Sequence, residues 1–111
     1  MINRLQADEP VTVVVFGRFT EGYEDYFEAY SQSVAQLLEH YGAKVIRRQQ
    51  LAETIFGEPG HDLVMLVDMA SVKLARRVFS GEHYLSIVPL RDKVFSSFCM
   101  QLARHSGISS R

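Results

Sequence analysis

The 111-residue chain has one cysteine, Cys99, no tryptophan and only three prolines. A lone thiol cannot close an intrachain disulfide or supply a thiol-rich zinc framework, and its default setting is a reducing one, so a cytosolic location is expected. Charge of one sign is also missing: 12 Lys and Arg against 13 Asp and Glu leave a net charge of −1. Without a positive field, neither a nucleic-acid backbone nor an anionic membrane is an expected partner. No apolar run approaches the roughly 20 residues that span a bilayer, and the opening MINRLQADEP lacks an apolar signal core. The phosphate-cradling, nucleophile-elbow and zinc-protease motifs are absent, as is the aromatic-basic strand motif that stacks RNA bases. His40, His61, His83 and His105 never fall at i,i+2 or i,i+4 spacing, so no metal site and no cofactor are expected.

What is present is a regular alternation of segment types, with 47% hydrophobic and 23% charged residues, as in one ordinary globular domain. VTVVVFGRF, Val11–Phe19, is β-branched and aromatic on both alternating sets, which predicts a strand covered on both faces. Thr20 is placed to cap a helix in which Tyr23, Phe27, Tyr30, Val34, Leu37, Leu38 and Tyr41 recur at helical spacing, with Gly42 as its left-handed stop. Residues 43–56 alternate as a polar edge strand, Val45, Arg47, Gln49 and Leu51 against Ile46, Arg48 and Gln50. Gly57, Glu58, Pro59 and Gly60 then turn the chain into a third strand at 61–68. Ser71 caps a second helix closed by Gly81, residues 82–90 form a further helical turn stopped near Pro89, and 94–102 read as a fourth strand, with helix as the alternative. Residues 1–10 and 106–111 are expected to be loose ends around a core of about 11–102 in one domain.

The order is βαββαβ, an α+β ferredoxin-like unit with a four-stranded antiparallel sheet and two helices on one face. Its far face should meet water, yet Val13, Val15, Phe19, Leu63, Met65 and Val67 lie on one alternating set and Val14, Phe16, Val64 and Leu66 on the other, so neither face reads as solvated. A second copy of the chain is the economical cover, so a homodimer is expected.

Several local patterns resemble the dimeric α/β-barrel superfamily, and most closely its members grouped as domain of unknown function 1330. They are Tyr41-Gly42 at a helix end, Gly57 after a polar hairpin strand, the Asp68 to Ser71 corner, and the turn Gly81, Glu82, Tyr84 with Arg91 following. Met69 and Ala70 replace the aromatic and proline usual at that corner, and His83 is inserted between Glu82 and Tyr84. The resemblance implies a dimeric barrel with a pocket between sheet and helices. It spans cofactor-independent monooxygenases, isomerases, haem proteins and plain small-molecule binders, so it does not choose a chemistry.

The residues supply candidates. Arg91 could clamp a carboxylate or enolate through its guanidinium fork, or simply pair with Glu82 or Asp92. His83 could serve as general acid or base and Tyr84 as oxyanion donor, against an exposed histidine beside an inward-packed tyrosine. Asp68 could be a base with a raised pKa, or could bond the start of the second helix. Arg18 is a second cation for an anion pocket or a rim residue, and Tyr26 and Tyr30 are cavity lining or packing. Arg47 and Arg48 read as a solvated basic pair. The expected partner beyond a second copy is a small organic acid or aromatic metabolite, bound or, alternatively, turned over without a cofactor by His83, Tyr84 and Arg91.

Overall fold

Strand β1, Val11–Phe19, buries Val11, Val13, Val15 and Gly17 on one face and leaves Thr12, Val14 and Phe16 half-buried and Arg18 exposed on the other, as the period of two requires. The computed structural model describes residues 4–105; residues 1–3 and the expected loose end 106–111 lie outside them. Helix α1, Glu24–His40, begins without the expected Thr20 cap: Thr20 instead accepts the amide of Tyr23 through its carbonyl, and Glu24 and Asp25 meet the helix dipole. Its buried stripe is Tyr30, Val34, Leu37 and Leu38. Gly42, at φ 68°, makes the left-handed exit.

Strand β2, Lys44–Gln50, is shorter than the 43–56 span expected from its pattern. Leu51 donates to the Asp62 carbonyl at 2.7 Å, and the chain between them leaves the sheet as a loop whose Ile55 and Phe56 are 94% and 96% exposed. Strand β3, Leu63–Met69, helix α2, Val72–Ser80, and helix α3, Glu82–Val94, follow before β4, Phe95–Arg104. Ser71 caps α2, its Oγ accepting the Leu74 amide at 3.0 Å. Gly81 closes α2 in an extended conformation, φ −85°, not a left-handed one. Glycine is needed there for another reason: a Cβ would stand 2.9 Å from the Arg77 carbonyl oxygen.

Helix α3 passes through Pro89 instead of stopping there. The proline removes the amide that would bond the Leu85 carbonyl, but both residues are exposed, so water can satisfy that carbonyl. Tyr84, Ile87, Arg91 and Val94 recur on the inner face, and burying three of them favours continuing the helix.

The sheet order is β2-β3-β1-β4, antiparallel throughout, with α1, α2 and α3 on one face: the ferredoxin-like fold with one added helix. The core lies between that face and the helices, where Val11, Val13, Leu37, Val67, Val72 and Val94 are almost wholly enclosed. Each such side chain stabilises the fold by roughly 1.5–3 kcal/mol. The opposite face carries Val14, Phe16, Val64, Leu66 and Cys99, all only half-buried, and none belongs to the core cluster. At the N-terminal end, residues 4–10 are held rather than loose: Glu9 and Ala7 accept the first amides of α2, and the Glu9 carboxylate pairs with Arg104 at 2.6 Å.

Candidate functional site

Between α1 and the sheet lies a cavity of about 130 Å³. Val15, Leu63 and Met65 of the sheet and Val34 and Leu38 of α1 form its aliphatic walls; Phe27, Tyr30, Phe95 and Phe98 make the aromatic ones. Its aromatic side is preassembled: the Phe95 ring meets Phe98 at 5.3 Å and Tyr30 edge-on at 5.5 Å. A narrow extension of about 10 Å³ shares Tyr30 and Phe98 and adds Tyr84 and Phe79. That is room for about one water.

Tyr30 is buried, yet its hydroxyl has no hydrogen bond among the described residues, and no fully enclosed side-chain oxygen or nitrogen lacks a partner there. The hydroxyl therefore borders open space. Burial raises its pKa, the neighbouring Tyr84 adds to the rise and Arg91 opposes it, so the group is a neutral donor at any physiological pH.

Tyr84 and Arg91 come together because they lie seven residues apart on α3, nearly two turns. Arg91 Nη1 donates to Tyr84 Oη at 3.0 Å, and the guanidinium lies 4.9 Å above the Phe98 ring. Its Nε and Nη2 both donate to Asp92 at 3.3 Å. Burial works against the charge, but Tyr84 and Asp92 outweigh it and hold the Arg91 pKa above its usual value. The expected clamp thus already has both an acid and a phenol.

The other expected site residues go elsewhere. His83 is exposed on α3, its ring 6.3 Å from that of His40, and does not line the cavity. Tyr26 is 38% exposed with Lys93 Nζ 5.0 Å from its ring. Asp68 lies on the uncovered face, where Thr12 Oγ1 donates to it at 2.6 Å and His105 lies at 3.3 Å. The Thr12 bond first, and His105 and Lys44 after it, hold its carboxyl below the usual range, the opposite of a raised-pKa base. Arg18 donates to the carbonyls of Gly60 and Pro59, and so fastens the 51–62 loop instead of facing the cavity.

The cation that does border the cavity is Arg48, which the sequence pattern assigned to a solvated pair. Val45 and Arg48 both line the cavity although three residues apart, because the β2–β3 register shifts between Val45 and Arg47. The bulge at Ile46 turns Arg48 inward and Arg47 to the opposite face. Arg48 Nη1 donates to Ser31 Oγ at 3.2 Å, and its guanidinium lies 5.5 Å from the Phe27 centroid.

The sequence profile of the family described as Domain of unknown function (DUF1330) matches residues 14–102, which include both walls of the cavity. The chain belongs to this family. No curated protein matches this DUF1330 member. Solved structures are similar at low identity. The RPA0582 protein of unknown function from Rhodopseudomonas palustris superposes with a TM-score of 0.75 at 15% identity, covering 91% of this chain and 85% of that one. A dimeric protein of unknown function and ferredoxin-like fold from Bacteroides fragilis gives 0.63 at 4%, covering 89% and 99%. SnoaB, a cofactor-independent oxygenase from Streptomyces nogalater, gives 0.64 at 12%, covering 93% and 99%. At such identities the likeness is one of fold. No helix among the described residues is long and apolar enough to cross a membrane, and no group of three or more metal-ligating side chains occurs among them.

Proposed function

We propose that this DUF1330 protein is a cytosolic homodimer that binds a small organic molecule in the cavity between α1 and the sheet. The observation that carries the reading is the preformed apolar space beside a buried Tyr30 hydroxyl that has no hydrogen-bond partner among the described residues. An aromatic or branched aliphatic body replaces nothing but weakly held water there, while Tyr30, and Tyr84 backed by Arg91, offer polar contacts that fix orientation. The dimer is supported by the half-buried apolar strip of Val14, Phe16, Val64 and Leu66, and by the dimeric assembly of the Bacteroides fragilis protein.

A second reading, a cofactor-independent isomerase or oxygenase acting on a small carboxylated or enolisable metabolite, is favoured by one contact. Arg91 donates to Tyr84 Oη, which polarises that phenol as a donor towards a developing oxyanion. The SnoaB likeness is compatible with it. His83, facing away from the cavity, has no part in either version.

The test is a thermal-shift screen of wild type and Arg91→Ala against small carboxylic acids, lactones and aromatic metabolites. A ligand at a hundredfold excess over its Kd adds about 2.7 kcal/mol. For a chain of this length that raises the melting temperature by roughly 10 °C. Absence of any shift removes the binding reading. Product appearing from a bound compound, detected by mass spectrometry, selects the enzymatic one.

A further inference from the structure

The cavity has a cation at its border that no acid neutralises. Arg48 is paired with no carboxylate among the described residues; one arm of its guanidinium bonds Ser31 Oγ and no other arm is engaged. Arg91, by contrast, spends its Nε and Nη2 on Asp92 and its Nη1 on Tyr84. Of these two arginines, Arg48 is the one that presents an open fork to a ligand anion, with Phe27 supporting the guanidinium from its face and Ser31 adding a hydroxyl. The volume sets the other end of the ligand. An apolar cavity of about 150 Å³ accommodates benzene. The present one, about 130 Å³, takes one six-membered ring and little more.

We infer that the ligand class is a monocyclic aryl-alkyl carboxylate, its ring among Tyr30, Phe95 and Phe98 and its carboxylate on Arg48 and Ser31. This rests on the cavity reading above and narrows it: the acid is recognised from the edge strand, not from α3. Leaving the carboxylate at the rim also spares it the desolvation that an interior position would demand.

The experiment is calorimetric titration of the full chain with phenylacetate and with its neutral analogue phenylacetamide, at pH 7 and low salt. Wild type is expected to prefer the acid about tenfold, the size of one charge-assisted hydrogen bond. Arg48→Gln, a change at an exposed position, should erase that preference. Arg47→Gln, one residue away on the opposite face, should keep it. Equal binding of acid and amide by wild type, a preference that survives Arg48→Gln, or one lost in Arg47→Gln overturns the Arg48 assignment and leaves the cavity reading standing. If wild type binds neither compound, the ligand-class assignment falls, and the cavity reading is decided by the wider thermal-shift screen.

Discussion

Gly17 gives the sharpest handle on how tightly the cavity wall is set. It is buried on β1, and a Cβ there would come within 2.5 Å of Cδ1 and Cε1 of Phe95. Carbon atoms prefer about 3.5–4.0 Å, so Gly17→Ala forces the ring to retreat by about 1 Å. Phe95 is held by Phe19, Tyr30 and Phe98, at 5.3–5.6 Å between centroids, and the free space it can enter is the cavity it lines. Overpacking of this kind costs about 1–3 kcal/mol. For 111 residues that lowers the melting temperature by roughly 4–12 °C. The assay is urea and thermal unfolding of Gly17→Ala, Phe95→Leu and the double variant, with phenylacetate titrations alongside. The smaller leucine should restore stability in the alanine background, giving a coupling of about 0.5–3 kcal/mol, and phenylacetate should bind more weakly to Gly17→Ala than to wild type. An alanine variant with wild-type melting temperature, or strictly additive effects, would refute the claim that Phe95 and Gly17 fit against each other.

Gly42→Val puts a β-branched residue at φ 68° and should destabilise the fold by more than about 1 kcal/mol, seen as a lower urea midpoint; an unchanged midpoint contradicts the left-handed exit of α1. Asp68 has a depressed folded-state pKa, so its contribution is fully present above its unfolded value, about 3.9, and lost as pH falls through the folded one. Thr12→Val removes the main cause, so the stability gap between variant and wild type should be full at pH 7 and narrow progressively as the pH falls below that unfolded value; a gap that does not change with pH rules the linkage out. If the proposed homodimer forms through this sheet face, wild type should sediment as a dimer at micromolar concentration and Leu66→Glu, in the middle of that face, as a folded monomer; a wild-type monomer, or a variant that still dimerises, refutes it.

Where one physical signal dominated, the sequence could be read directly. β1 was legible to the residue because Val11–Val15 is β-branched throughout and Phe16 and Phe19 extend it with aromatics, and Ser71 announced α2 because a serine before an apolar helical repeat has few other uses. Misreadings arose where two signals competed. Ile55 and Phe56 look like strand interior, but pairing with the β3 side ends at the Leu51–Asp62 bond, so they have no ladder to join. Pro89 looks like a stop, yet the inner-face repeat of α3 outweighs one missing hydrogen bond at an exposed turn. In the site, Tyr84 and Arg91 were legible from helical spacing. Asp68 and Arg18 were not, since their partners Thr12 and Gly60 are 56 and 42 residues away in sequence. Arg48 was hidden by the bulge, because strict alternation groups Arg48 with Ile46 and apart from Val45.

That bulge bears on how the protein could change in evolution. With regular pairing, Arg47 would share the cavity face with Val45, and Arg48 would point to the other side. Because β2 is an edge strand with exposed side chains, losing or gaining one residue there disturbs little of the core. A migration of the bulge along β2 past Arg47, with no cavity residue substituted, would therefore exchange which side chain greets an incoming ligand, whereas simple loss of Ile46 would leave Arg48 opposite Met65 and facing the cavity.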